Sequence, residues 1–291
     1  MLSRMRVSWL LCLGFALVPR LAVAGEVKLE KDVTYGTALE VTLKMDVFQP
    51  SGFTGKRPGI VLIHGGGFIA GDKSFYLPMG KKFAEKGYVA FSLNYRLAPK
   101  HHYPAQVDDV QRAVRWIRAH AETYNLDLER IGALGDSAGG YLVAMLGTRD
   151  TRDNSDTELA KFSSRVQCVV DLYGPTDFTL PPATANISQQ SVQLLTMFFG
   201  KKPGEDAELY KDGSPIVYVT KQSAPFLILH GTADLLVPVD QSQRLQDALK
   251  AVGVDSTLML MYKWGHGYLK PFDPQLTGVL AEEFFARNLH P

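Results

Sequence analysis

The 291-residue sequence has almost no charge bias: 31 Lys and Arg face 30 Asp and Glu, a formal net charge of +1. Nucleic-acid binders carry a basic stripe or patch, so that class is excluded. Cysteine is scarce as well, with two in the chain, Cys12 and Cys168, which excludes a disulfide scaffold. The longest apolar run, Val7 to Val18, is about a dozen residues where a membrane-crossing helix needs roughly 20. Internal repeats, low-complexity tracts and charge blocks are all missing. With 46% hydrophobic and 21% charged residues, disorder, collagen-like repeats and coiled coil are excluded, and an ordinary globular protein is expected.

The first segment reads as a secretory signal peptide spanning 1–24. Arg4 and Arg6 precede the apolar run, and Ala22-Val23-Ala24 supplies small residues for cleavage after Ala24. Arg20 sits between run and cleavage site; a lipoprotein reading of Cys12 fails because Leu11 precedes it. Cleavage removes Arg4, Arg6 and Arg20 and no acid, so 31 − 3 leaves 28 basic against 30 acidic residues, a net of −2. The expected product, residues 25–291, is a secreted or periplasmic single domain without a permanent membrane anchor. Cys168 is then its one cysteine; it lies in the apolar run Val166-Gln167-Cys168-Val169-Val170 and reads as a small core residue, not a reactive thiol.

Short β-branched runs alternate with longer amphipathic ones, which predicts a mainly parallel sheet with helices on both faces. Residues 27–49 alternate apolar and polar side chains (Val41, Leu43, Met45, Val47) and predict two antiparallel edge strands. Gly59–Ile63, Val89–Leu93, Ile131–Leu134, Val166–Leu172, Phe226–Leu229 and Thr257–Met261 read as buried strands. Helices are predicted over Ala105–Tyr124, where Val107, Val110, Val114, Ile117 and Ala121 share one face, and over Gln241–Val252 and Leu276–Leu289. The stretch 176–224 breaks the alternation with Pro181-Pro182 and Lys201-Lys202-Pro203-Gly204, and its length marks it as a small cap or lid. It contains the sequon Asn186-Ile187-Ser188, which matters only in a eukaryotic secretory host.

Gly135-Asp136-Ser137-Ala138-Gly139-Gly140 follows the predicted strand Ile131–Leu134 and opens the helical run Tyr141–Leu146. A serine thrust forward on a strand-to-helix turn needs small residues on either side, so this is a nucleophile elbow. His64-Gly65-Gly66-Gly67-Phe68 follows Gly59–Ile63, and its glycines leave amides free to converge on a small anion. Gly66, Gly67 and Ala138 are therefore the candidate oxyanion-hole residues. A phosphate loop is excluded, since neither a Gly-Lys-Ser/Thr ending nor a G-x-G-x-x-G pattern is present. His64 reads as a brace for its loop.

A serine hydroxyl needs a general base and an orienting acid, in the chain order Ser, Asp, His for such a sheet. Asp234, in His230-Gly231-Thr232-Ala233-Asp234-Leu235-Leu236-Val237-Pro238, follows Phe226–Leu229. His266, in Trp264-Gly265-His266-Gly267-Tyr268, follows Thr257–Met261. Both stand at carboxyl ends of strands, where a doubly wound sheet gathers its ligand groups. Asp177 is the alternative acid. His230, His101, His102, His120 and His290 lack the setting of His266, bracketed by glycines after the last strand. No metal is predicted, because His101-His102 has no carboxylate or cysteine at ligand spacing. Asp136 is expected to face solvent or the helix start; Asp108 and Asp109 to favour a helix N-terminus or pair with Arg96. Phe68, Tyr173, Phe178 and Leu235 adjoin strand ends and are the candidate pocket residues.

Assembled, these residues resemble the α/β-hydrolase superfamily, and within it the hormone-sensitive-lipase-like carboxylesterases and the secreted bifunctional feruloyl and acetyl-xylan esterases. The resemblance spans about 27–289 and rests on HGGGF (64–68), NYRLAP (94–99), YPAQVDD (103–109), GDSAGG (135–140), DLYGPTDF (171–178), SPIVYV (214–219), HGTADLLVP (230–238) and GHGY (265–268). It implies a twisted, mainly parallel sheet of about eight strands with helices on both faces and a small inserted cap. It also implies serine ester hydrolysis without a cofactor, on small-molecule or polysaccharide-linked short-acyl or aryl esters, with Ser137, Asp234 and His266 as nucleophile, acid and base. Strand-like sequence begins soon after Ala24, where typical hormone-sensitive-lipase-like enzymes carry a long helical cap, and this tilts the resemblance toward the plant-polysaccharide esterases. Two alternatives stand beside it: an amidase or peptidase using the same triad, distinguishable with an anilide substrate, and a non-catalytic binder of small molecules, which usually loses the histidine that this chain retains.

Overall fold

The computed structural model describes residues 26–180, 187–267 and 274–290. The signal segment, Asn186 of the sequon and Tyr268 lie outside the described residues. Strands β1 (Val27–Ala38) and β2 (Val41–Pro50) form a hairpin. Its two-residue turn, Leu39 and Glu40, has φ of 46° and 65°, the doubly left-handed turn whose twist matches that of the strands it joins. β2 runs antiparallel to β4 (Val89–Leu93). From there β3 (Arg57–Ile63), β5 (Leu126–Asp136), β6 (Cys168–Leu172), β7 (Phe226–Gly231) and β8 (Ser256–Met261) continue in parallel. The resulting 8-stranded sheet has the order β1-β2-β4-β3-β5-β6-β7-β8: the mainly parallel sheet that the alternation predicted, with the strand number that the resemblance implied.

The sheet is covered on both faces, which is why its central strands read as unbroken apolar runs. Val61 and Ile63 of β3 face one layer, with Val107, Val110 and Val114 of α2 (Ala105–Ala119), α3 (Ala138–Thr148) and Leu245 of α6 (Asp240–Ala251). Ile60 and Leu62, the alternate residues, face the other, with Phe83 of α1 (Leu77–Glu85) and Phe285 of α7 (Pro274–Leu289). Within 176–224 the chain forms α4 (Gln189–Phe199), the short α5 (Ala207–Asp212) and a 3-10 turn, Pro215–Tyr218.

Two boundaries differ from expectation by more than three residues. Helix α2 ends at Ala119, short of Tyr124, because the chain must reverse into β5; Asn125 takes φ of 49° and the Leu126 amide returns to Ala121 O at 2.8 Å. β5 begins at Leu126, earlier than Ile131, because buried Leu126 pairs with Arg57 of β3 ahead of the register shift that precedes Ile131.

Candidate active site

Strands β5, β7 and β8 all end on one edge of the sheet, and each delivers one side chain there. At the end of β5, Ser137 is held at φ 53° and ψ −116°, a costly conformation for a non-glycine residue that survives only where its surroundings impose it. They do so here: the Ser137 amide donates to Leu172 O at 2.8 Å and the Tyr141 amide to Ser137 O at 3.0 Å. Gly139 is required by the close approach of strand and helix, since a Cβ there would lie 1.9 Å from Ile63 O.

His266 Nε2 lies 2.8 Å from Ser137 Oγ, and His266 Nδ1 lies 2.7 Å from Asp234 Oδ2. The carboxylate only accepts, so the Nδ1 proton is directed to it and Nε2 presents its lone pair to the serine hydroxyl, the geometry of an activated nucleophile. The three residues, from positions 137, 234 and 266, are thus brought together. The loops that carry acid and base are tied to each other by the Ala233 amide, which donates to Trp264 O at 2.9 Å, and by the Lys263 amide on Thr232 Oγ1 at 2.8 Å. Tyr173 packs edge-on against the His266 ring, centroids 5.0 Å apart.

Asp234 is heavily supplied with donors. Its Oδ1 accepts from the amides of Leu236 and Val237, both at 2.9 Å, and its Oδ2 lies 3.2 Å from His230 Nε2. Burial alone would raise its carboxyl, but hydrogen bonds from His230, His266 and the Val237 amide hold it well below the usual carboxylate range. His230 is fully buried, with Nδ1 against Ser242 Oγ at 2.7 Å and Nε2 against Val237 O at 2.9 Å. It therefore fixes the acid loop, a role that its sequence setting did not reveal. The alternative acid, Asp177, is instead paired with Arg244 at 2.7 Å.

The glycine loop after β3 lies beside the elbow. Gly66 and Gly67 have φ of 106° and 60°, and Phe68 follows at 67°. Among the described residues, the amides of Gly66, Gly67 and Ala138 donate to no protein acceptor. Asp136 takes neither of its two expected roles, facing solvent or the helix start: it is buried, and its Oδ1 accepts from the Gly65 amide at 3.0 Å and from the Tyr76 hydroxyl at 2.8 Å. It clamps the glycine loop to the elbow, and burial pushes its carboxyl up against the opposing pull of those two donors. His64 braces the loop from the far side, stacked on Tyr95 with centroids 4.5 Å apart. The Tyr95 hydroxyl donates to His64 O at 2.9 Å. Asp109 pairs with buried Arg96 at 2.6 Å, one of its two expected roles, while Asp108 pairs with Arg152.

An apolar cavity of about 70 Å³ opens at Ser137, lined by Gly67, Phe68, Phe178, Leu194, Leu195 and Leu236 among others. Two of the candidate pocket residues, Phe68 and Phe178, are in its lining. The other two are not: Tyr173 is spent on the His266 ring, and Leu235 is 84% exposed. The physical reason is the Asx turn at Asp234, whose capped amides turn Leu236 inward and throw Leu235 out. Among the described residues, no helix is long and apolar enough to cross a membrane, and no three His, Cys, Asp or Glu residues gather as metal ligands.

A sheet of this order, with a serine elbow after β5, an acid after β7 and a histidine after β8, defines an α/β-hydrolase. Within that class, the chain belongs to the BD-FAE family, whose profile matches residues 45–249. It is 35% identical over 204 residues to the probable carboxylic ester hydrolase LipM of Mycobacterium tuberculosis, covering 68% of this chain and 46% of LipM. Esterase LipC of the same organism is 29% identical over 221 residues, 74% of this chain and 54% of LipC. The chain therefore spans about half the length of these curated relatives. Among solved structures, a truncated carbohydrate esterase from gut microbiota superposes with a TM-score of 0.77 at 28% identity, covering 91% of this chain and 97% of that one. The propionate-bound esterase Est2 of Thermogutta terrifontis superposes with a TM-score of 0.75 at 26% identity, covering 94% and 98%.

Proposed function

We propose that the protein is a serine carboxylesterase that hydrolyses short-acyl or aryl esters, of the acetyl or feruloyl type, through an acyl-enzyme. The observation that carries this reading is the unbroken chain Ser137 Oγ, His266, Asp234, with links of 2.8 and 2.7 Å, at the mouth of an apolar cavity. Ser137 Oγ attacks the ester carbonyl carbon while its proton passes to His266 Nε2. The oxygen that gains the electron pair is held by the amides of Gly66, Gly67 and Ala138. Collapse of the tetrahedral intermediate breaks the bond to the alcohol oxygen, which leaves with the proton from His266. Water then attacks the acyl-serine by the same route and restores the free hydroxyl. Asp234 stays ionised throughout, fixing the imidazole tautomer and stabilising its charge.

The esterase names of the relatives and neighbours support the same reaction class. Hydrolysis of p-nitrophenyl acetate and butyrate, methyl ferulate and acetylated xylan tests the reading, with Ser137→Ala as the blank. Turnover lost in the variant is expected; turnover that persists in Ser137→Ala refutes the assignment. We further propose export through the 1–24 segment. An N-terminus at Gly25 on protein recovered outside the cytoplasm is the expected result, and an intact Met1 there refutes it.

A further inference from the structure

We propose that Leu194 on α4 closes the acyl end of the site, so that the enzyme accepts acyl groups of acetyl or propionyl size and rejects aryl acids. The inference rests on the ester-hydrolase reading and narrows it. Leu194 reaches the oxyanion loop itself: a Cβ built on Gly67 would lie 2.9 Å from one Leu194 methyl and 3.2 Å from the other. The same side chain lines the cavity that begins at Ser137 and Ala138. An acyl group bound at the serine, beside the Gly67 amide, therefore packs against the Leu194 methyls as it enters that cavity.

The wall is also held in place. At the start of α4, Ser188 accepts from the Ser191 amide, and Ser191 Oγ donates to Leu236 O on the acid loop at 2.6 Å. At its end, the Tyr103 amide donates to Phe198 O at 2.8 Å, and His102 Nδ1 lies 2.7 Å from Met197 O. Between them, Phe198 stacks on Phe68 with centroids 3.8 Å apart. Leu194 lies one helical turn from both Ser191 and Phe198, on the anchored face. Moving it aside would break contacts at several anchors together.

The free space agrees. The cavity holds about 70 Å³, roughly half the 150 Å³ apolar cavity that accommodates benzene. Leu194 therefore takes up room beside the serine that a longer or aromatic acyl group needs.

Purified protein is assayed on p-nitrophenyl acetate, propionate, butyrate and hexanoate and on methyl ferulate, beside Leu194→Ala and Leu194→Phe. The wild type is expected to lose kcat/KM beyond propionate and to leave methyl ferulate nearly untouched. Leu194→Ala should raise the hexanoate-to-acetate ratio of kcat/KM at least tenfold, the scale of one methylene against a closed pocket. Leu194→Phe should lower the butyrate-to-acetate ratio by a similar factor, and it carries the test if the alanine variant does not fold by circular dichroism. Variants that scale every ester together overturn the inference, as does a wild type that turns over hexanoate or ferulate as fast as acetate; both results leave the esterase reading intact. A folded wild type silent on every ester takes down both.

Discussion

Asp171 on β6 offers a test of the burial energetics around the site. The residue is fully buried, its Oδ1 accepts from the Gly174 amide at 2.9 Å, and its Oδ2 has no partner among the described residues. Burial pushes this carboxyl from 3.8 up to about 6, against the pull of the Gly174 amide and of His230. The folded protein thus holds the Asp171 proton more tightly than the unfolded chain does. Its contribution to stability is complete below pH 3.8 and is lost as pH rises through about 6. Roughly two pH units at 1.36 kcal/mol each make this about 3 kcal/mol, of which about 2 falls between pH 4.5 and 7.5. Asp171→Asn keeps an acceptor for Gly174 and removes the charge. Leaving its amide nitrogen without a partner costs an amount that does not vary with pH. Urea unfolding of both proteins at intervals across this range should therefore show the variant gaining about 2 kcal/mol on the wild type as pH rises, whatever the constant offset between them. A difference independent of pH, or one that shrinks toward neutrality, would refute the reasoning.

Two further outcomes follow from the site. Asp234→Asn removes the acceptor that fixes the His266 tautomer, and kcat should fall by about 10⁴-fold with KM little changed; a loss under tenfold in steady-state assays would detach Asp234 from the reaction. Gly66→Ala places a Cβ 2.1 Å from Ala70 O at a φ of 106°, so the loop must reshape and its amides leave the oxyanion. Turnover should drop by about 100- to 1000-fold, while a circular-dichroism melt stays cooperative. Near-normal turnover in that variant would mean that the loop amides do not serve the reaction.

Much of this arrangement was legible in sequence because it is local. Six strands announced themselves by apolar runs bounded by turn residues, and the two edge strands by alternation of apolar and polar side chains. Ser137, Asp234 and His266 could be picked because each follows such a run and lies among glycines or turn formers, and the sheet topology then converts separations of 129 and 32 residues into hydrogen bonds. Helix α1 carried no comparable signal. Pro78 and Gly80 interrupt its pattern, and it forms because Phe83 and Ala84 bury against the sheet, an instance of tertiary packing overriding propensity.

The residues missed in sequence share a different property: each acts through a contact made across the fold. Asp136 looked peripheral because its neighbour is the nucleophile, yet its carboxylate reaches back 71 residues to the Gly65 amide. His230 resembled a rival base until the fold surrounded it with Ser242, Val237 and Asp234. Leu194 was one apolar residue in a segment whose path the sequence does not specify, and only the docking of α4 sets its methyls against Gly67. The strand ends determine where the bond is broken, and they are short-range features that any chain of this architecture must display. The acyl limit depends on how an inserted helix is moored, here by Ser191, Phe198 and the 102–103 backbone. Chains with the same three reacting residues can thus differ in substrate wherever that mooring differs.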